Sequence, residues 1–167
     1  PWLGNFRFDP SAHISEEELD LSLILPERST YAPHGCLEGE RDGFHLRISD
    51  IELTRDINNK TEKIPALAIC IQFEKKRLPG HTLMMPKGRR ITGPAKGKIL
   101  KQIKLSSAWL TRKFDVYSTE HSLSEYLLKP ELLAEFEELA ALCRPGMYSA
   151  AAYGNNLVLL LENPENA

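Results

Sequence analysis

FHLRISDIELTRDINNKTEKIPALAICIQF, residues Phe44 to Phe73, decides the fold. Its first part alternates Phe44, Leu46 and Ile48, and its last part alternates Leu67, Ile69, Ile71 and Phe73, which is the two-residue period of strands. The polar run Arg55 to Lys63 between them, with Asn58-Asn59 inside it, predicts a long hairpin loop. Within the first strand the apolar phase slips by one, from Ile48 to Ile51 and Leu53, and predicts a bulge near Ser49 and Asp50. Ala68 and Cys70, opposite in phase to Leu67 and Ile69, are small and apolar, so this strand is expected at the centre of a sheet with Cys70 as a packing residue.

Upstream, Asp42-Gly43 suits the positive φ angles of a tight turn and makes Gly35 to Glu40 the preceding strand. The first forty residues otherwise read as irregular, with one short helical turn capped by Ser15 and carrying Glu16, Glu17 and Glu18. Downstream, Leu83 to Pro86 reads as a short strand ahead of a Gly/Pro loop from Lys87 to Gly97. Ile99, Ile103 and Leu105, with Lys101 at the same parity, read as another, and Arg112 to Tyr117 as one more. Pro130 opens the clearest helix, about residues 130–143, with Leu132, Leu133, Phe136, Leu139 and Leu142 on one side and Glu131, Glu135, Glu137 and Glu138 on the other. Met147 to Tyr153 and Leu157 to Leu161 form a C-terminal hairpin around Gly154-Asn155-Asn156. The expected class is α+β: a mostly antiparallel sheet or partly closed barrel with one main helix packed on it.

With 167 residues, 42% hydrophobic and 26% charged, residues 1–167 read as one soluble domain. Such a chain buries roughly 70% of its unfolded surface and needs no covalent staple. It begins at Pro1 and reads as a piece of a longer protein. Cys36, Cys70 and Cys143 are an odd, widely spaced set, which points to a reducing compartment. The longest apolar run, Ile64 to Ile71, contains Pro65 and is far too short for a membrane helix.

Charge is the strongest functional signal. Ten cations, Lys75, Lys76, Arg77, Lys87, Arg89, Arg90, Lys96, Lys98, Lys101 and Lys104, fall in a window without one acidic residue, inside a chain of net charge −2. One reading is a solvated sheet edge, where lysine blocks aggregation, or cations facing the acidic helix of the same chain. The other is docking on an anionic membrane surface or an acidic protein partner. Nucleic acid fits poorly, because no Phe, Tyr or Trp interleaves the cations to stack on bases.

No motif carries catalysis. The Gly88 to Lys98 loop fails as a phosphate cradle, since Gly93 is followed by Pro94 and Gly97-Lys98 by Ile99 rather than a hydroxyl residue. The five histidines show no metal spacing, and no cofactor or metal is expected. An enzyme remains the alternative reading, with a site gathered near His34, Cys36 and Asp50.

Four segments, EELDLSLILPERSTY (Glu17 to Tyr31), GCLEGERDGFHLRISDIEL (Gly35 to Leu53), PGHTLMMP (Pro79 to Pro86) and KFDVYSTEHSLSEYLLKPELL (Lys113 to Leu133), resemble in order the bacterial domain of unknown function 3137 family. The resemblance implies no assigned activity and no catalytic residues. It does imply apolar membrane segments ahead of a soluble domain of this kind, held on the cytoplasmic side of the inner membrane. The function expected is therefore a non-enzymatic binding or scaffold module whose basic face meets anionic lipid or an acidic partner.

Overall fold

A computed structural model describes residues 5–28, 30–89, 91, 100–104, 107–119, 129–131, 134–135, 137–138 and 147–163. In chain order the elements are β1 (Phe6–Asp9), α1 (Glu16–Ser22), β2 (Thr30–Arg41), β3 (Phe44–Ile57), β4 (Lys60–Phe73), β5 (Leu78–Pro86), β6 (Lys101–Ile103), α2 (Ala108–Lys113), β7 (Phe114–Ser118), β8 (Tyr148–Gly154) and β9 (Asn156–Glu162). The strands form one nine-stranded sheet in the order β1-β2-β3-β4-β9-β8-β5-β7-β6, and every pairing is antiparallel.

Of the two expected forms, a mostly antiparallel sheet or a partly closed barrel, the sheet is the one found, and it is open. Its two edge strands, β1 and β6, are its shortest, at four and three residues. Both faces gain cover from other parts of the chain, so closure is not needed to bury them. Of the expected helix near 130–143, Pro130, Glu131, Ala134, Glu135, Glu137 and Glu138 are helical, while Leu132, Leu133, Phe136, Leu139, Leu142 and Cys143 lie outside the described residues.

The polar run expected as a long loop is strand almost throughout. β3 and β4 pair without a break from Phe44↔Phe73 to Ile57↔Lys60, and Asn58 and Asn59 make the turn with φ of 51° and 62°. The bulge exists, but in the neighbouring strand: β2 shifts register between Pro33 and Gly35, opposite the Asp50-Ile51 step of β3. The apolar phase of β3 slips because the buried face changes along the strand. Leu46 and Ile48 face one side of the sheet, and Ile51 and Leu53 face the other.

The side that carries Ala66, Ala68, Cys70, Val158, Leu160, Leu83 and Met85 is covered by Ile14, Leu19 of α1 and the Leu23-Ile24-Leu25 segment. Small β4 residues are buried here because the cover packs close. α1 is fixed by a complete Ser15/Glu18 capping box, worth roughly 1 kcal/mol, and by Arg28, which lies 2.6 Å from Glu16 and 2.9 Å from Asp20. On the opposite side Met84, Leu110 of α2, Phe114, Val116, Tyr148, Ala150, Leu159 and Leu161 form a second cluster, in which the Phe114 and Tyr148 rings meet edge-on at 6.0 Å. One row on this α2 side crosses the sheet from β7 to β1. Exposure along it rises from Val116 at 1%, through Met84 and Ala150 at 4% and Leu159 at 8%, to half-buried Ile69, Ile48 and Leu37, and finally Phe8 at 62%.

Candidate functional site

The fold divides the basic window. Lys75, Lys76 and Arg77 are exposed together in the loop from β4 to β5, with the Lys76 ammonium 5.9 Å from the centre of the Phe73 ring. Lys101 and Lys104 are exposed at edge strand β6. Lys87, exposed, and Arg89, largely buried, are both paired within the protein. The Lys87 ammonium lies 3.0 Å from Asp115 and donates to the Thr111 carbonyl. The Arg89 guanidinium is largely buried, 2.5 Å from Glu162 Oε1 and 3.1 Å from Ser149 Oγ. Arg90, Lys96 and Lys98 lie outside the described residues. Neutralisation therefore comes from two sheet carboxylates. Glu131, Glu135 and Glu138 are exposed, and Glu137 accepts from Ser107 Oγ at 2.5 Å.

Where β6 meets α2, a cavity of about 280 Å³ is lined by Lys87, Gln102, Ile103, Lys104, Thr111, Phe114 and Asp115. Asp115 organises it by accepting from the Gly88 amide at 2.9 Å and Gln102 Nε2 at 2.9 Å while pairing with Lys87. Burial pushes the Asp115 carboxyl up, yet those donors outweigh it and hold the group below the ordinary carboxylate range. Arg112, exposed, and Lys113, half-buried, end α2 beside the cavity. Both belong to the same acid-free stretch as the ten cations, which runs on past Lys104 to Phe114, and cations in a last helical turn are a favoured pattern. The corner thus places Lys104 at the cavity and Arg112 and Lys113 beside it, over an internally neutral floor, with Lys101 further along β6 opposite Ser118, an arrangement suited to meeting an anionic group.

The residues proposed for an enzymatic site do not converge. His34 is the exposed bulge residue of β2. Cys36 is buried on the α1 side with its thiol towards the Leu37 carbonyl, and Asp50 is exposed on the α2 side.

A different cluster sits beneath α1, and sequence reasoning did not find it. Arg47 of β3 lies 2.6 Å from Glu18 and 3.6 Å from the Cys70 sulfur, and the Tyr153 hydroxyl donates to the Glu18 carbonyl at 3.3 Å. Tyr153 in turn stacks on His81 at 5.1 Å, and His81 Nε2 is 2.9 Å from the Ser22 carbonyl. Burial raises the Cys70 thiol despite the guanidinium beside it, and pushes the Tyr153 phenol up to about 12. A protonated thiol 5% exposed is a structural group, as its phase in β4 implied. Among the described residues no three His, Cys, Asp or Glu side chains are grouped to hold a metal ion, and no helix is long and apolar enough to cross a membrane.

An open antiparallel sheet with a cation-rimmed corner and short covering helices defines a sheet-rich α+β domain. The chain belongs to the family described as protein of unknown function (DUF3137), whose model matches residues 67–167. That range starts within β4 and holds two of the resembling segments, Pro79 to Pro86 and Lys113 to Leu133; the other two precede it. No curated protein and no solved structure matches the chain.

Proposed function

We propose that this chain is a non-catalytic docking module that meets an anionic lipid surface through the corner of β6 and α2. The observation that carries this is the exposure of Lys101, Lys104 and Arg112, none with an ion pair among the described residues, next to Lys87, whose charge is already balanced by Asp115. Each cation close to such a surface adds on the order of 1 kcal/mol. Lys101 and Lys104, three residues and about 10 Å apart in an extended chain, project from opposite faces, so the surface they share is the free edge of the sheet. The Lys75, Lys76 and Arg77 loop supplies a second contact.

On this reading the domain is part of a membrane-anchored bacterial protein and works on the cytoplasmic side of the inner membrane, where tethering makes weak contacts effective. The helix expected near residues 130–143 then packs on the sheet, a reading supported by the bond from Ser107 to Glu137 at the start of α2.

Flotation with liposomes tests the reading. Binding should require anionic lipid, weaken as salt rises, and fall most in a Lys101→Ser/Lys104→Ser/Arg112→Ser variant, with a smaller loss when Lys75, Lys76 and Arg77 are changed. Failure to float at low salt, or equal binding to neutral vesicles, would overturn it.

A further inference from the structure

Among the described residues β1 ends the sheet, and the side of it away from β2 carries no other strand. Such an edge is a template for pairing, and proteins guard it with a very short strand, charged side chains, lysine above all, proline or a bulge. The other edge, β6, has Lys101 with Lys104 just beyond it. β1 reads Phe6-Arg7-Phe8-Asp9 and has no lysine, and its Phe8 is the most exposed large apolar side chain among the described residues, at 62%.

The order of residues in β1 is self-complementary. In an antiparallel pair, residues directly opposite each other point to the same face. A second β1 laid alongside with Phe8 opposite its own copy places Arg7 opposite Asp9 of the other chain, and Asp9 opposite its Arg7. Phe8 and its mate then meet on the α2 side of the sheet, and two opposite-charge pairs form on the α1 side. Shifting the register by two residues loses this match, because it sets Arg7 against Arg7 or Asp9 against Asp9. The Arg7 side chain is 75% exposed, with a 3.3 Å contact to Glu38, and can turn outward, while Asp9 Oδ1 accepts from the Ser11 amide, Ser11 Oγ and the Ala12 amide and leaves Oδ2 for the partner's guanidinium.

The half-buried row Leu37, Ile48 and Ile69 continues inward from Phe8, so the joined sheets would share one apolar strip. We infer that β1 is a homodimerisation edge, and that the partner it takes is a second copy of this chain in the Phe8-centred antiparallel register. A four-residue strand buries little area, so the dimer is weak and transient. A common membrane tether would raise its population without new contacts.

Disulfide trapping reads the register directly. Under mild oxidation Phe8→Cys should crosslink rapidly, because opposed Cβ atoms lie about 5 Å apart. Leu21→Cys, at a comparably exposed site (57%), should not. Sedimentation across a micromolar to millimolar series supplies the second measurement. Arg7→Glu alone and Asp9→Lys alone each set like charges opposite one another and should weaken self-association by about tenfold. An equimolar mixture of the two restores both charge pairs and should recover it. A monomer throughout the series, equal crosslinking of the two cysteine variants, or no recovery on mixing would each overturn the inference.

Discussion

At the β6 end of the sheet β5 and β7 are buried from both sides, with Leu83 and Met85 at 0% against Met84 at 4% and Val116 at 1%, whereas at the β1 end Leu37, Leu46 and Ile48 are half-buried and Phe8 stands in solvent. The side chains are of the same kind; the covers differ. The β6 end is also locked by charge, through Arg89 to Glu162 and Lys87 to Asp115, while the ion pairs on β1 and the neighbouring turn, Arg7 to Glu38 and Arg41 to Asp42, are exposed and worth little. Stability is thus concentrated at one end, and the other is left available for contact. The matched family range, residues 67–167, contains the whole of the locked end and none of β1, β2 or β3.

The largest effect expected comes from removing one partner of the buried pair. Arg89→Met leaves the Glu162 carboxylate, 7% exposed, without its cation, a change of roughly 3 kcal/mol. Denaturant titration should show a lower midpoint with unchanged slope. Adding Glu162→Leu should recover much of the loss. A cost below about 0.5 kcal/mol, the range of ordinary surface substitutions, would remove the charge lock from the comparison.

A paired test within one row sharpens it. Met84→Ala empties a packed site and should cost about 2 to 5 kcal/mol, whereas Ile48→Ala on the same row, already half in water, should cost about half as much or less. Equal costs measured on dilute monomer would mean that the β1 end is covered after all.

The sequence made the local parts of this design readable and hid the rest for physical reasons. Alternation and the turn pairs Asp42-Gly43 and Gly154-Asn155 located two hairpins, and Ser15 with Glu18 located a helix start whose capping box is complete. Arg55 to Lys63 read as loop because the β3-β4 hairpin extends beyond the covered part of the sheet, where neither face needs apolar residues. α2 has six residues, too few to show a period, and β1 has four, paired with a strand some thirty positions away. The fates of Lys87 and Arg89 depend on Asp115 and Glu162, which lie 28 and 73 positions further on. A window of charge shows which residues share a sign, while partners that distant are set by the order of strands.

Acid unfolding gives the smallest expected effect and reports on both ends at once. Burial pushes Glu18 up, but Arg47 and the Ser15 amide outweigh it, so Glu18, like Asp115, sits below its ordinary value. A depressed carboxylate contributes stability that is fully present above its unfolded pKa and lost as pH falls through the folded one. Stability should therefore be flat above about pH 5 and decline below it, from the ordinary values of 4.5 for Glu18 and 3.8 for Asp115 downward. Glu18→Gln should flatten the upper part of that decline and Asp115→Asn the lower part. Glu18 is 42% exposed beside a better-covered Arg47, and Asp115 is 9% exposed beside a Lys87 that is 53% exposed, so each pair is open to solvent on one side and added salt should shrink both contributions. A contribution that salt leaves unchanged would show that its pair is closed to solvent on both sides.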